Sequence, residues 1–215
     1  MYNSRMVYKY AEQANFEDFA AGHVIYHRPG FTNFPVRLSC EIFMRCYTYI
    51  GKPTISVYDP CCGSAYILTV LGFLHSEQIS AFYASDISDE ALDLARQNLN
   101  LLTPEGLIAR NAPQKADSIS NLISLCRSTP YEVFKHDILN GRSPQSADIV
   151  ICDVPYGDMV DWSSDGVSID TMLNNIDAEV VAISSNKRQK IKSERFKRLE
   201  KFNVGKRRIE IRRKI

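Results

Sequence analysis

Several carboxylates in this chain follow short apolar runs, and the spacing of the first is the most informative. The run Ser56-Val-Tyr leads into Asp59-Pro60-Cys61-Cys62-Gly63-Ser64-Ala65, and a strand-to-helix turn of this kind is where open α/β sheets bind ligands. Gly63 permits a backbone turn that a side chain would block. A dinucleotide site needs G-x-G-x-x-G so that pyrophosphate can approach the backbone. The corresponding positions here are Gly63, Ala65 and Leu68, so the turn is expected to face a ligand with no phosphates to cradle. Asp59 suits a cationic ammonium group. Asp86, in Ala84-Ser-Asp86-Ile87-Ser, suits a ribose diol whose two hydroxyls donate to one carboxylate. His136-Asp137 follows a third run, and Asp137 can take an exocyclic amino group. His136 is expected to be a packed or capping histidine and is given no role.

The sharpest local signal is Ile149-Val-Ile-Cys-Asp153-Val-Pro155-Tyr156-Gly157, a buried strand ending in D-x-P-Y-G. Pro155 fixes its own φ and restricts the residue before it, so the turn should be rigid. A rigid acceptor beside an aromatic plane is what methylation of a base nitrogen requires. Tyr156 can stack on a splayed-out base, worth about 1–3 kcal/mol, while Asp153 or the adjacent carbonyl accepts from a proton-bearing nitrogen. Taken singly, each carboxylate is equally readable as a cap or turn former; their succession along the chain is what points to chemistry. A nucleoside bearing an amino-acid group fits Asp59 and Asp86 together, and S-adenosylmethionine is that molecule. Its sulfonium is already a good leaving group, so a protein using it needs mainly to orient the partners.

Alternating strands and helices must position these residues. Strands are expected at Thr54–Tyr58, Ile79–Ala84, Glu132–Lys135, Asp148–Cys152 and Glu179–Ser184, with helices at Val36–Ile50, Tyr66–Ser76, Asp89–Leu101, Pro104–Arg127 and Ser168–Asn175. Ser88 is a plausible N-cap for the third helix. Pro113 should break or kink the fourth. Phe196–Asn203 and Lys206–Arg213, around Val204-Gly205, read as a hairpin. The pattern is that of a doubly wound α/β fold with a mainly parallel sheet. Its length of 215 residues, with 45 % apolar and 24 % charged content, suits a single domain, here residues 36–215 preceded by an N-terminal extension, 1–35. No apolar run approaches membrane-spanning length and the N-terminus lacks a greasy signal stretch. A cytoplasmic monomer with six reduced cysteines is expected.

Net charge is only +1, but it is unevenly placed: residues 187–215 hold fourteen Lys or Arg against three Glu, leaving about −10 for the rest. A basic surface of that density is what a nucleic-acid backbone selects. The alternative is a solvated charged face.

The order V-Y-D-P-C-C-G-S, S-D, H-D and D-x-P-Y-G resembles class I methyltransferases that modify nitrogens of nucleic-acid bases. More closely, Phe34-Pro-Val-Arg-Leu38 with Glu41-Ile-Phe43, the segment Asp59 to Gly72, and Asn98-Leu-Asn-Leu-Leu-Thr-Pro104 resemble the avilamycin-resistance ribosomal RNA methyltransferases of the AviRa type, from about Ala20 to the end. The resemblance implies a seven-stranded sheet of order 3-2-1-4-5-7-6, closed by the antiparallel hairpin. It also implies methylation of a guanine base nitrogen in 23S ribosomal RNA, free or within the ribosomal particle, and orthosomycin resistance. Two departures stand out. Ala65 occupies a position where the family usually has Gly, and the segment from Asn98 to Tyr131 is shorter.

The expected donor site, for S-adenosyl-L-methionine, is then Asp59, Pro60, Cys61, Gly63, Ser64, Asp86, Ile87 and Asp137. The catalytic turn is Asp153, Pro155 and Tyr156. Phe34, Arg37, Trp162, Arg207 and Arg208 are candidates for contacting RNA, although core packing serves Phe34 equally well and simple anchoring serves Trp162. No metal site is expected. The rival readings are a DNA or RNA adenine methyltransferase, which would usually need a separate recognition domain, and a noncatalytic RNA-binding or ribosome-assembly factor with the same fold. Small-molecule methylation would leave the basic tail idle.

Overall fold

Continuous apolar runs in the central strands decide the architecture, because consecutive side chains of a strand point to opposite faces and both faces must then be covered. The computed structural model describes residues 8–20, 22–31, 33–110, 127–154 and 167–215. Its strands are β1 (Ile55–Asp59), β2 (Ile79–Asp86), β3 (Tyr131–Lys135), β4 (Ser146–Asp153), β5 (Asp177–Asn186), β6 (Phe196–Val204) and β7 (Arg207–Lys214). They form one sheet of order β3-β2-β1-β4-β5-β7-β6, the order implied by the resemblance. Strands β1 to β5 pair in parallel, and β7 runs antiparallel to both β5 and β6.

Described helices are α1 (Glu17–Ala20), α2 (Val36–Tyr47), α3 (Tyr66–Leu74), α4 (Asp89–Asn100), α5 (Pro104–Arg110) and α6 (Val167–Asn175). Ile149 and Ile151 join a core with Phe43, Leu68, Leu71 and Leu99, whereas Val150 and Cys152 pack with Ile169, Met172 and Leu173 of α6. Both faces of the sheet are thereby covered, as a parallel sheet demands.

Most sequence expectations match within a residue or two. Helix α2 stops short of Ile50, where a turn closed by Thr48 Oγ1 on the Arg45 carbonyl (2.8 Å) leads to Gly51 at φ 71°. Ser88 caps α4, its Oγ accepting from the Ala91 N–H at 3.3 Å. Strand β2 runs two residues further than expected, which places Asp86 on its last rung, opposite Lys135. The expected helix beyond Arg110 lies outside the described residues up to position 126. Among the described residues no helix is long and apolar enough to cross a membrane.

The N-terminal extension is built into the domain. Phe19, Val24, Ile25 and Phe34 are buried in the same core as α2 and α3. Glu41 of α2, fully buried, accepts the backbone N–H groups of Lys9, Tyr10 and Ala11, each at 2.8 Å, and the Arg45 Nε at 2.6 Å. Burial raises the Glu41 pKa, but the three N–H donors and Arg45 overcome it and hold the carboxyl below its usual value. Arg37 bonds the Ala11 carbonyl at 3.0 Å and lies over the Tyr8 ring. That position makes Arg37 an anchor for the extension.

Candidate active site

Parallel strands in register bring their carboxyl ends to one edge of the sheet. Asp59 pairs with Ala84, Asp153 with Ser184, and Asn186 with Arg207. The carboxylates that the sequence separates by about a hundred positions therefore meet. Asp59 is 2 % exposed, and burial pushes its carboxyl up to about 8; the charges of Asp86 and Asp153 add to the rise, while the Cys61 N–H, 3.1 Å from Oδ1, opposes it.

The loop between β1 and α3 is folded by backbone. Cys62 N–H bonds the Ser85 carbonyl at 2.9 Å, and Gly63 N–H donates to Asp86 Oδ2 at 2.9 Å. Gly63 (φ 52°) and Ala65 (φ 54°) are both left-handed. Glycine accepts this conformation without strain, whereas a residue with a Cβ does so at a cost of about 1–2 kcal/mol. That is the physical sense of the expected glycine at position 65. Pro60 and Ser64 are buried, and Cys61 is half-buried.

Asp86 also accepts from the Ser88 N–H at 3.0 Å through Oδ1. Beside it Ile87 is 59 % exposed. Asp137 is used by its own turn, accepting from Leu139 N–H at 3.0 Å and from the Asn140 side chain. His136 Nε2 lies 3.2 Å from the Gly141 carbonyl oxygen, a capping contact.

The other half of the edge is Asp153. Arg207 Nη2 lies 3.7 Å from its Oδ2, and the same guanidinium sits 5.0 Å above the ring of Phe34. Phe34 is itself buried, so it seats Arg207. Burial raises the Asp153 pKa, with the nearby Ser184 hydroxyl and Arg207 holding it back. Among the described residues, Asp153 Oδ1, Ser184 Oγ and Arg207 Nε are buried with no partner in hydrogen-bond geometry, an unusual state for polar atoms in a finished interior. Arg208 turns inward: it is 7 % exposed, reaching the Lys187 carbonyl at 3.3 Å. Pro155, Tyr156 and Trp162 lie outside the described residues.

Sequence reasoning missed Asn98. Fully buried on α4, it accepts the Tyr26 N–H at 2.7 Å and donates to the carbonyls of Tyr26 (3.2 Å) and Ser64 (2.9 Å), tying the extension to the loop. An Asn in the apolar register of Ala91, Leu94 and Ala95 was the available signal. Phe31 was missed too; a Cβ on Gly63 would meet its ring at 3.9 Å.

Strand order, covered sheet and acidic strand ends define the class of Rossmann-like methyltransferases. Comparisons narrow it. The family model for the rRNA methyltransferase AviRa matches residues 6–207. The 23S rRNA (guanine(2535)-N(1))-methyltransferase of Streptomyces viridochromogenes is 32 % identical, with 92 % of each chain covered. The solved structure of the rRNA methyltransferase AviRa from the same organism superposes with a TM-score of 0.82 at 30 % identity, covering 96 % of both chains. TrmN from Thermus thermophilus, at 15 % identity, TM-score 0.50 and coverage of 85 % of this chain and 49 % of its own, shares the fold alone. The chain belongs to the AviRa family of rRNA methyltransferases.

Proposed function

We propose that this chain transfers a methyl group from S-adenosylmethionine to N1 of a guanine in large-subunit ribosomal RNA. The observation that carries the reading is the meeting of the Asp59 and Asp86 loops with the Asp153–Arg207 pair at one sheet edge.

The residues present fit the donor. Asp59 is a buried carboxyl whose charge a neighbouring cation would restore. Asp86 has bonded one N–H through each oxygen, and each oxygen keeps a lone pair for a ribose hydroxyl. Ile87 offers an exposed apolar face to a purine, and Asp137 remains the candidate partner for its amino group. The bound donor supplies a methyl carbon already activated by a sulfonium.

For guanine N1 the protein must remove one proton and tolerate the charge that then spreads onto O6. Asp153 takes the N1 proton; its raised pKa makes it a stronger base than an exposed carboxylate. The freed lone pair of N1 then faces the donor pocket. Arg207, seated on Phe34, faces the charge on O6. Tyr156 stacks on the unstacked base and Pro155 stiffens the turn, while Trp162 is a second stacking candidate.

Asp153→Asn tests this directly. Methyl incorporation into rRNA should fall by about 10²–10⁴, with calorimetric affinity for S-adenosylmethionine unchanged. Full turnover by that variant would sink the assignment. Mass mapping of the product locates the guanine and its methylated atom, and orthosomycin tolerance of cells carrying the wild type and the variant tests the link to resistance.

A further inference from the structure

Several basic residues of the C-terminal segment are committed to partners. Away from Asp153, Arg213 pairs with Glu179 and Lys214 with Asp177, each at 2.7 Å, and Arg195 is spent on the carbonyls of Leu173, Asn174 and Ile176. Arg208 and Arg212 are buried against Glu210. At the Asp153 end three are not. Lys187, Arg188 and Lys206 are exposed, and among the described residues no carboxylate pairs with them. With Asn186 they line an open cavity of about 360 Å³. Asn186 is the register partner of Arg207, so this groove begins one side chain from Asp153.

We infer that the groove holds the RNA backbone phosphates flanking the methylated base, an inference that rests on placing that base at Asp153. Three cations without counter-charges repel one another, and a polyanion relieves that repulsion. Each phosphate they neutralise releases condensed counterions. Arg188 offers a planar fork suited to phosphate oxygens, and the lysines offer flexible point charges. An unstacked base leaves its two phosphates beside the pocket mouth, and the groove is where the protein meets them. Of the sequence's candidates for RNA, Arg208 is buried and Arg207 is engaged beside Asp153, where it would meet the base, so the phosphate contacts pass to their neighbours.

The experiment combines Lys187→Gln, Arg188→Gln and Lys206→Gln in the full chain and measures binding to a protein-free 23S rRNA transcript across a salt series. Affinity should drop about 10–100-fold at low salt, and the slope of log K against log salt should shrink by about 2. Calorimetric affinity for S-adenosylmethionine should hold. Combined Lys197→Gln, Arg213→Gln and Lys214→Gln, at the far sheet end, should leave transcript binding within about twofold. Unchanged affinity and slope in the groove variant, or equal loss in the far-end variant, overturns the inference. A loss seen on assembled large subunits but not on the transcript would place a ribosomal protein in the groove and overturn it as well. Asp153→Asn separates the two readings: it should bind the transcript normally without methylating it, and if it methylates, the assignment of the site fails while the groove result stands.

Discussion

The two halves of the site are built on opposite terms. On the side proposed for the donor, backbone groups fold the loop tightly: Asp86 holds the N–H groups of Gly63 and Ser88, Cys62 is pinned to β2, and Asn98 locks Ser64 to Tyr26. On the side proposed for the acceptor, Asp153, Ser184 and Arg207 each keep a buried polar atom with no hydrogen-bonded partner among the described residues. A preformed half suits a donor that is the same in every turnover, because its geometry costs nothing to reach at the moment of reaction. Under the proposed function, the other half would be completed by hydrogen bonds from the substrate. Stability and activity should therefore respond oppositely to substitutions in the two halves.

The largest stability effect belongs to the donor half. Asn98→Ala removes three hydrogen bonds of a buried amide, and chemical denaturation should register a loss of about 2–4 kcal/mol. Donor affinity should weaken with it, since Ser64 loses its tether. If donor binding stayed intact in a folded Asn98→Ala protein, the loop would not be preorganised through this contact.

Asp153→Asn should move stability the other way, by about 1–2 kcal/mol at neutral pH, because it removes a charge from a buried and incompletely bonded site. The sign follows from linkage. The folded chain holds the Asp153 proton more tightly than the unfolded chain does. The destabilisation is therefore absent below the ordinary carboxylate pKa, grows as pH rises toward the folded value, and is complete above it. The advantage of the variant should accordingly vanish in acid. In the wild type, methyl transfer should rise with pH through the same ionisation. An advantage that persisted in acid, or a rate flat across that limb, would remove Asp153 from the role of base.

The smallest effect is expected at Ala65, whose left-handed backbone stores strain that Gly relieves. Ala65→Gly should gain about 0.5–1 kcal/mol, the relief being partly offset by the greater freedom of Gly in the unfolded chain. No gain in thermal or chemical denaturation would mean the loop has adapted to its alanine.

Much of this was legible beforehand. Short β-branched or aromatic runs ending in polar residues located the parallel strands, alternation located the hairpin, and Ser88 announced α4. The order D-P-C-C-G-S, S-D, H-D, D-x-P-Y-G marked the acidic strand ends, because local backbone chemistry at a strand terminus is written in adjacent residues. The strand order followed from likeness to relatives rather than from periodicity. Arg207 and Arg208 were alike on paper, two cations in one basic run. Strand alternation put them on opposite faces of the sheet, Arg208 buried beside Glu210 and Arg207 between Asp153 and Phe34.

What the chain's own letters determine is therefore local: where strands end, which turns need glycine, and that the tail is basic. Tertiary structure alone decides which of those ends meet, which basic residues are paired with a carboxylate, and that Glu41 ties the N-terminal extension to α2 while Asn98 ties it to the Ser64 loop. The reason is physical. Register and packing join residues far apart in the chain, and the fate of a charge depends on what lies within a few ångströms of it, which no spacing along a sequence records.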